Sequence, residues 1–269
     1  MIEGMNSAGG DDMIEILNVY MTPFCETRRI SVYLPHTYHP KGKKRYPVIY
    51  MHDGQNVFRD SDALGGSSLS LEDYLDHNHV DVMVVAIDQN PDERINEYCP
   101  WVNGDFSEHM LEYKCHLGGK GEQYIDFVTK ELKPFIDRRY LTLKDNTSMV
   151  GISLGGLISV YAACKYPHIY NQVAVLSSAF WRNQEKMEEL ISKSDLSSIQ
   201  RLYMDWGDCE SEDEEINRKF HVSNERVAHL LKDKVPNFTS SVIVGGAHHY
   251  TAFKSRVPQI FAWDKHIGY

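Results

Sequence analysis

The sequence Gly151-Ile152-Ser153-Leu154-Gly155-Gly156 decides how this chain of 269 residues is interpreted. It follows the strand-like residues Ser148-Met149-Val150 and precedes a helical pattern that runs from Leu154 to about Tyr166. A serine with glycine two positions away on either side fits a sharp strand-to-helix turn, because larger residues would collide across it. The free N–H groups at the start of the helix favour negative charge beside the serine. The stretch therefore predicts a nucleophilic serine, Ser153.

The remainder of the chain alternates between strand-like and helix-like patterns. The run Val82-Met83-Val84-Val85-Ala86-Ile87 is apolar throughout, as strands covered by helices on both faces are. The first two runs alternate in polarity, which favours a hairpin at a sheet edge. Helical spacing of apolar residues fills the later gaps, although Pro258 predicts a kink or a late start in the last helix. The predicted strands cover residues 14–20, 29–34, 48–51, 82–87, 148–151, 173–176, 201–206 and 241–244.

This alternation predicts the fold class. Strands separated by helices form a mostly parallel sheet joined by right-handed crossovers. We therefore predict an α/β fold with a sheet of about eight strands and helices on both faces. Residues 13–269 are expected to form a single domain. Residues 1–12 are polar and lack the basic and apolar parts of a secretory signal, so they are interpreted as a loose N-terminal extension.

Composition narrows the classes of partner. The chain has 28 basic and 38 acidic residues, a formal charge of -10, which argues against general affinity for nucleic acid or an anionic membrane. No apolar run approaches the roughly 18 residues of a membrane span. The five cysteines are scattered and show no CxxC spacing, so reduced thiols and a cytoplasmic location are expected.

Residues 89–120 fit neither the strand nor the helix pattern. They follow the fourth predicted strand and carry several aromatic residues. A long insertion without secondary structure in a compact domain is usually functional. We therefore expect a pocket wall or lid in which Arg94, Tyr98 and Trp101 contact the substrate. The alternatives are a plain surface excursion and, for Trp101, an anchor that only ties the insertion to the sheet.

A serine nucleophile needs a base, and a histidine after the last strand is the natural candidate. The chain provides Gly245-Gly246-Ala247-His248-His249 at that place. The two glycines leave room for a ring to reach Ser153. His248 is favoured over His249, and a pair of surface histidines without a role is the plain alternative.

The histidine in turn needs a carboxylate, which is expected just past the seventh strand. Asp205 is predicted to lie within that strand. The acidic run after residue 211 is typical of the first turn of a helix. Glu210 is therefore favoured as the acid, with Asp208 as its rival.

Acyl transfer also requires N–H donors for the oxyanion. The backbone N–H of Leu154, directly after the nucleophile, is one candidate. The second is the N–H of Gln55, in the loop His52-Asp53-Gly54-Gln55-Asn56 after the third strand. The glycine in this loop lets the backbone approach the substrate closely.

The order serine, acid, histidine along the chain, at residues 153, 210 and 248, is the order found in α/β-hydrolases. Further stretches strengthen a resemblance to the putative esterase family of that fold. This family includes esterase D (S-formylglutathione hydrolase), feruloyl and acetyl-xylan esterases, enterochelin esterases and mycolyltransferases. The matching stretches are residues 50–58, 135–140, 151–156, 177–181 and 245–248, and they span most of residues 27–265.

The resemblance implies a serine esterase that needs no cofactor and acts on a small-molecule ester. In the family pattern, the turn after the seventh strand reads Gly-Thr-x-Glu or Gly-Thr-x-Asp, with the last residue as the acid. This chain has Gly207-Asp208-Cys209-Glu210, which matches at the first and last positions and keeps Asp208 in contention. The family's second oxyanion donor corresponds to Gln55. A carboxylesterase, an S-formylglutathione hydrolase-like thioesterase and a siderophore esterase all fit the resemblance.

Two other classes of protein remain as alternatives. A metal-dependent hydrolase is disfavoured because the histidines show neither HExxH nor Cys/His zinc spacing, and no metal is expected. A non-catalytic binding protein on a hydrolase fold is disfavoured because nucleophile, base and oxyanion loop are all in place in the sequence.

Overall fold

The computed structural model of the chain describes residues 13–102 and 104–262. The predicted N-terminal extension and the last seven residues lie outside this part. Eight strands form one sheet in the order β1-β2-β4-β3-β5-β6-β7-β8. Its first two pairings, β1 with β2 and β2 with β4, are antiparallel and all later ones are parallel. The strands are β1 (Ile14–Met21), β2 (Glu26–Tyr33), β3 (Tyr46–Met51), β4 (Met83–Ile87), β5 (Thr142–Ile152), β6 (Gln172–Leu176), β7 (Arg201–Cys209) and β8 (Phe238–Ala247). The predicted α/β fold class is confirmed.

Helices lie on both faces of the sheet. They are α1 (Leu71–His77), α2 (Arg94–Tyr98), α3 (Asp105–Leu111), α4 (Gly121–Phe127), α5 (Lys133–Arg139), α6 (Leu154–Lys165), α7 (Gln184–Lys193), α8 (Glu214–Lys232), α9 (Tyr250–Lys254) and α10 (Val257–Ile260). A π-helical segment, Val128–Leu132, joins α4 to α5, and 3₁₀ turns cover Thr22–Phe24, Gly54–Asn56 and Phe180–Arg182. None of the helices in the described part of the chain is long and apolar enough to cross a membrane.

The two faces of the sheet bury two separate apolar cores. In β4, Met83 and Val85 belong to the core that α6 and α8 cover, whereas Val84 and Ala86 belong to the core under α1 and α10. This division follows from the alternation of side chains along a strand. It explains why the strand reads as an unbroken apolar run.

Several elements differ from the sequence prediction in extent or in kind. Strands β5 and β8 extend beyond the predicted residues at both ends, and β7 continues to Cys209 with a register shift after Gly207. The kink or late start predicted from Pro258 is found: the last helical pattern is divided into α9 and α10, and Pro258 lies in the first turn of α10, where a helix does not use the N–H that proline lacks. The expectation that residues 89–120 lack secondary structure is wrong, because they contain α2, α3 and an antiparallel bridge between Val102 and Gly118.

Candidate active site

Ser153 lies at the junction of β5 and α6. Its backbone has φ 59° and ψ -121°, a conformation that non-glycine residues rarely adopt. A Cβ at Gly151 would lie 2.0 Å from the carbonyl oxygen of Gly155, so the turn admits only glycine there. The backbone oxygen of Ser153 accepts the N–H of Gly156 at 3.0 Å and that of Ala179 at 2.9 Å. These contacts fix the turn and leave the serine side chain at the carboxyl edge of the sheet.

His248 follows β8 and contacts Ser153 directly. Its Nε2 lies 2.9 Å from Ser153 Oγ, and its Nδ1 lies 2.6 Å from Oε2 of Glu210. The ring lies between Phe220 and Phe253, each edge-to-face, with centroid distances of 5.7 and 5.3 Å. The structure therefore brings Ser153, His248 and Glu210 into one hydrogen-bonded chain, called the candidate triad below.

The rival residues occupy other places. Asp208 accepts the backbone N–H of Gly245 at 2.7 Å, which ties β7 to the turn before His248. His249 Nδ1 accepts the N–H of Ala252 at 3.1 Å and so caps α9. Each has a structural hydrogen bond at the rim of the site and neither contacts the candidate triad.

Glu210 is almost completely buried, with 2% of its side chain exposed. Burial alone would raise the pKa of this carboxyl. Hydrogen bonds from His248, the Ser177 hydroxyl and the N–H of Gly207 outweigh that effect and hold the pKa below its usual value. Glu210 is therefore held as a carboxylate, the form that accepts the Nδ1 proton of a histidine.

The loop after β3 is held rigidly beside the nucleophile. A Cβ at Gly54 would lie 2.6 Å from Asp88 Oδ1 and 2.7 Å from its backbone nitrogen, so the loop packs directly on the end of β4. The side chain of Gln55 donates to the carbonyl of Gln89 at 2.7 Å and accepts the N–H of the same residue at 2.9 Å. With its side chain bound to Gln89, Gln55 has only its backbone N–H left as the oxyanion donor that the sequence predicts.

The residues expected to contact substrate from the insertion have another environment. Arg94 forms a bidentate ion pair with Asp53, at 2.7 and 2.8 Å, and 23% of its side chain stays exposed. Tyr98 is fully buried, and its hydroxyl accepts the N–H of Asp53 at 3.1 Å. The expectation that Tyr98 lines a pocket is therefore corrected: the side chain is fully buried, and its hydroxyl supports the loop after β3 through Asp53.

Trp101 is tied to the body of the protein. Its carbonyl accepts from Asn183 Nδ2 at 2.9 Å, and its ring meets the edge of Tyr161 at a centroid distance of 5.5 Å. These contacts join the insertion to α6 and to the start of α7. They favour the alternative in which Trp101 anchors the insertion.

A buried aromatic group surrounds His52, the first residue of the loop after β3. His52 packs against the rings of Tyr98 and Tyr124, and its Nδ1 lies 2.8 Å from the hydroxyl of Tyr124. Burial lowers the pKa of His52 to about 4, so the ring is neutral at physiological pH. His52 is therefore a buried, neutral residue next to the candidate triad.

Sequence patterns single out neither Ser177 nor Arg256 as a functional residue, and they place Asp205 within the seventh strand. All three are buried near Glu210. Ser177 directly follows β6, and β6 lies between β5, which leads to Ser153, and β7, which leads to Glu210. Its position in the predicted sheet could therefore have indicated that it lies near the site. No signal in the sequence distinguishes Arg256 from other charged residues in the last helical pattern.

Within the described residues, no group of three or more His, Cys, Asp or Glu side chains is placed to hold a metal ion.

The sheet order, with a serine at the junction of β5 and α6, defines an α/β-hydrolase. Residues 24–263 match the model of the family described as Putative esterase, and the chain belongs to that family.

Individual proteins resemble this chain along most of its length. The "Uncharacterized protein YbbA" of Bacillus subtilis (strain 168) is 29% identical over 245 residues, which are 88% of this chain and 92% of YbbA. An IroE-like serine hydrolase from Shewanella oneidensis has a TM-score of 0.76 at 19% identity, covering 95% of this chain and 81% of that one. Siderophore hydrolase EstB from Aspergillus nidulans has a TM-score of 0.72 at 15% identity, covering 98% of each chain. At these identities the two structural likenesses show the fold alone.

Proposed function

We propose that this protein is a serine carboxylesterase that hydrolyses small carboxylic esters through an acyl-enzyme on Ser153. The observation that carries the proposal is the continuous contact from Ser153 Oγ through His248 to Glu210, at 2.9 and 2.6 Å. Membership of the esterase family supports the same reaction class. A non-catalytic binding protein would have no need for three side chains in this order.

The geometry suggests the following steps. Ser153 Oγ attacks the ester carbonyl while His248 Nε2 takes the hydroxyl proton, and Glu210 stabilises the resulting imidazolium. The backbone N–H groups of Leu154 and Gln55 are proposed to hold the oxyanion; losing one such donor typically costs roughly 2.7–4 kcal/mol of transition-state stabilisation. The intermediate then collapses, and the alcohol leaves with the proton from His248.

The acyl-enzyme is hydrolysed by the same groups in reverse. His248 takes a proton from water, the hydroxide adds to the acyl carbonyl, and the carboxylic acid leaves as Ser153 recovers its proton. Both half-reactions keep atoms and protons in balance without any group beyond the chain and water.

The substrate class is the finer part of the proposal. Small carboxylic esters are proposed first, with acyl-sugar, hydroxycinnamoyl and thioesters as variants that the same machinery accommodates. The name of EstB, a siderophore hydrolase, adds siderophore esters to the compounds that belong in a test.

The experiment compares the purified protein with its Ser153→Ala variant, on nitrophenyl, cinnamoyl, sugar-acetate, thioester and siderophore esters and with a fluorophosphonate probe. We expect labelling of Ser153 and hydrolysis of at least one ester, both lost in the variant. His248→Ala should be nearly inactive, whereas the matched control His249→Ala should keep most activity, since His249 only caps α9. Activity that survives Ser153→Ala would reject the proposal.

A further inference from the structure

A second set of buried polar groups lies behind the candidate triad. Arg256, between α9 and α10, has 3% of its side chain exposed. Its Nη1 donates to Ser177 Oγ at 2.8 Å and to Asp205 Oδ1 at 3.2 Å. Ser177 Oγ in turn donates to Glu210 Oε1 at 2.5 Å. The hydrogen bonds of the candidate triad therefore continue from Glu210 through Ser177 to the guanidinium of Arg256.

The direction of these hydrogen bonds is set by chemistry. A guanidinium only donates, so the Ser177 oxygen accepts from Arg256 and its single proton is free for Glu210. A hydroxyl that accepts from a cation becomes a stronger donor, because hydrogen bonds in a chain polarise one another. Oε1 of Glu210 also accepts the N–H of Gly207 at 2.5 Å. With Oε1 held by two donors, Oε2 faces His248.

The buried carboxylates of this cluster need a nearby positive charge, which Arg256 supplies. Glu210 and Asp205 are both buried, and a buried carboxylate is costly unless it is paired. Arg256 contacts Asp205 directly and reaches Glu210 through the Ser177 hydroxyl. Tyr203 donates to the other oxygen of Asp205 at 2.9 Å. Burial raises the pKa of Asp205 to about 6.

This inference rests on the proposed esterase function. We propose that Ser177 and Arg256 are positioning residues for the reaction: Arg256, acting through the Ser177 hydroxyl, fixes Glu210 in the orientation and the ionised form that His248 needs. The plain alternative is that Arg256 only balances Asp205 and ties α9 and α10 to the sheet. The two differ in the role of the hydroxyl of Ser177, which is the link to Glu210.

Two variants isolate that hydroxyl. Ser177→Ala removes the donor to Glu210, and Tyr203→Phe, the matched control, removes a hydroxyl from the same buried cluster without touching Glu210. The rate of labelling of Ser153 by a fluorophosphonate is measured against pH, which needs no knowledge of the natural substrate. Besides Glu210, the charged and titratable side chains of the cluster are His248, Asp205, Arg256 and Tyr203.

We expect the labelling rate of Ser177→Ala to fall by about tenfold or more, part of the 10²–10⁴-fold that general acid–base catalysis supplies. Its acid limb should also move to higher pH, since a carboxylate with fewer donors attracts the histidine proton more strongly. The downfield proton resonance of the His248–Glu210 hydrogen bond should shift in Ser177→Ala and stay in place in Tyr203→Phe. Arg256→Gln should repeat these changes if it folds, as its melting temperature will show.

Equal rates, pH profiles and proton resonances in wild type, Ser177→Ala and Tyr203→Phe would overturn the positioning role while leaving the esterase proposal intact. Failure of the esterase proposal has a different signature: wild-type Ser153 would not be labelled at any pH. The proton resonance still decides the positioning of Glu210 in that case, because it is observed without any reaction.

Discussion

Glu210 and Asp208 are two residues apart, yet the structure gives them opposite surroundings. Glu210 is buried against His248, whereas Asp208 is exposed and accepts a backbone N–H from Gly245. Glu210→Gln keeps the shape but removes the charge and turns an amide N–H₂ toward His248, which favours the wrong histidine tautomer. The equivalent change in a serine protease lowers kcat by about 10⁴.

We therefore expect Glu210→Gln to lower kcat by several orders of magnitude with a melting temperature close to wild type. Asp208→Asn, the matched control, should keep activity within a few-fold. Steady-state kinetics on one ester measures both. If Asp208→Asn proves the more damaging change, the acid has been placed on the wrong residue.

For single residues, the sequence predicts a functional role best where the steric limits of the backbone allow only particular residue types. Ser153 and His248 could be predicted because the glycines two residues from the serine and before the histidine have no Cβ to obstruct a sharp turn or the approach of the ring. The sequence does not decide between Glu210 and Asp208; in the structure β7 runs three residues past its predicted end, with a register shift after Gly207. Which side chain turns inward after such a shift depends on tertiary packing.

At the scale of elements, the insertion of residues 89–120 supports the site more than it covers it. Arg94 and Tyr98 on α2 hold Asp53, while Gln89 holds Gln55. The aromatic content of the insertion suggested a pocket wall, but a sequence does not show which face of a short helix is buried.

Trp101 tests this interpretation. Trp101→Ala should lower the free energy of unfolding by about 1–3 kcal/mol, because the indole packs against Tyr161. The ranking of ester substrates should be preserved. Tyr113→Ala, at a position in the same insertion that is 59% exposed, is the control and should leave the melting temperature unchanged. If Trp101→Ala changes the ranking of ester substrates and leaves the melting temperature unchanged, Trp101 lines the pocket.

At the scale of the whole molecule, the buried His52 links stability to pH. Its folded-state pKa of about 4 lies below the ordinary value of 6.5, so between these values the unfolded chain binds a proton that the folded chain does not. The contribution of His52 to stability is complete above pH 6.5 and is lost as pH falls through 4.

We expect the free energy of unfolding of wild type to fall across this window by up to roughly 3 kcal/mol more than that of His52→Gln. Urea denaturation at a series of pH values measures the difference. The same substitution at the exposed His39 serves as the control for removing one histidine. Parallel curves for wild type and His52→Gln would show that His52 protonates equally in both states.

The fold as a whole could be predicted because its signals are long and repeated. Apolar runs such as β4, separated by helical periodicity, leave few arrangements other than a mostly parallel sheet. The predicted ends were less accurate because β8 is an edge strand whose missed residues, 238–240 and 245–247, are mostly polar or glycine and show no apolar pattern. Edge strands are held by backbone hydrogen bonds, which the side-chain sequence does not record.

The positive φ angles around the site set a limit on how stable this protein can become. Asp53, Ser153 and Ser177 all have left-handed φ values, between 46° and 59°, at the carboxyl edge of the sheet. Such conformations cost of order 1–3 kcal/mol each, and glycine would adopt them almost without penalty. A glycine at Ser153 would therefore relax the backbone and delete the nucleophile in the same step. Substitutions that relieve backbone strain at the site would therefore raise stability and lower activity together. Stabilising substitutions that keep activity are expected in the two cores and on the helix surfaces.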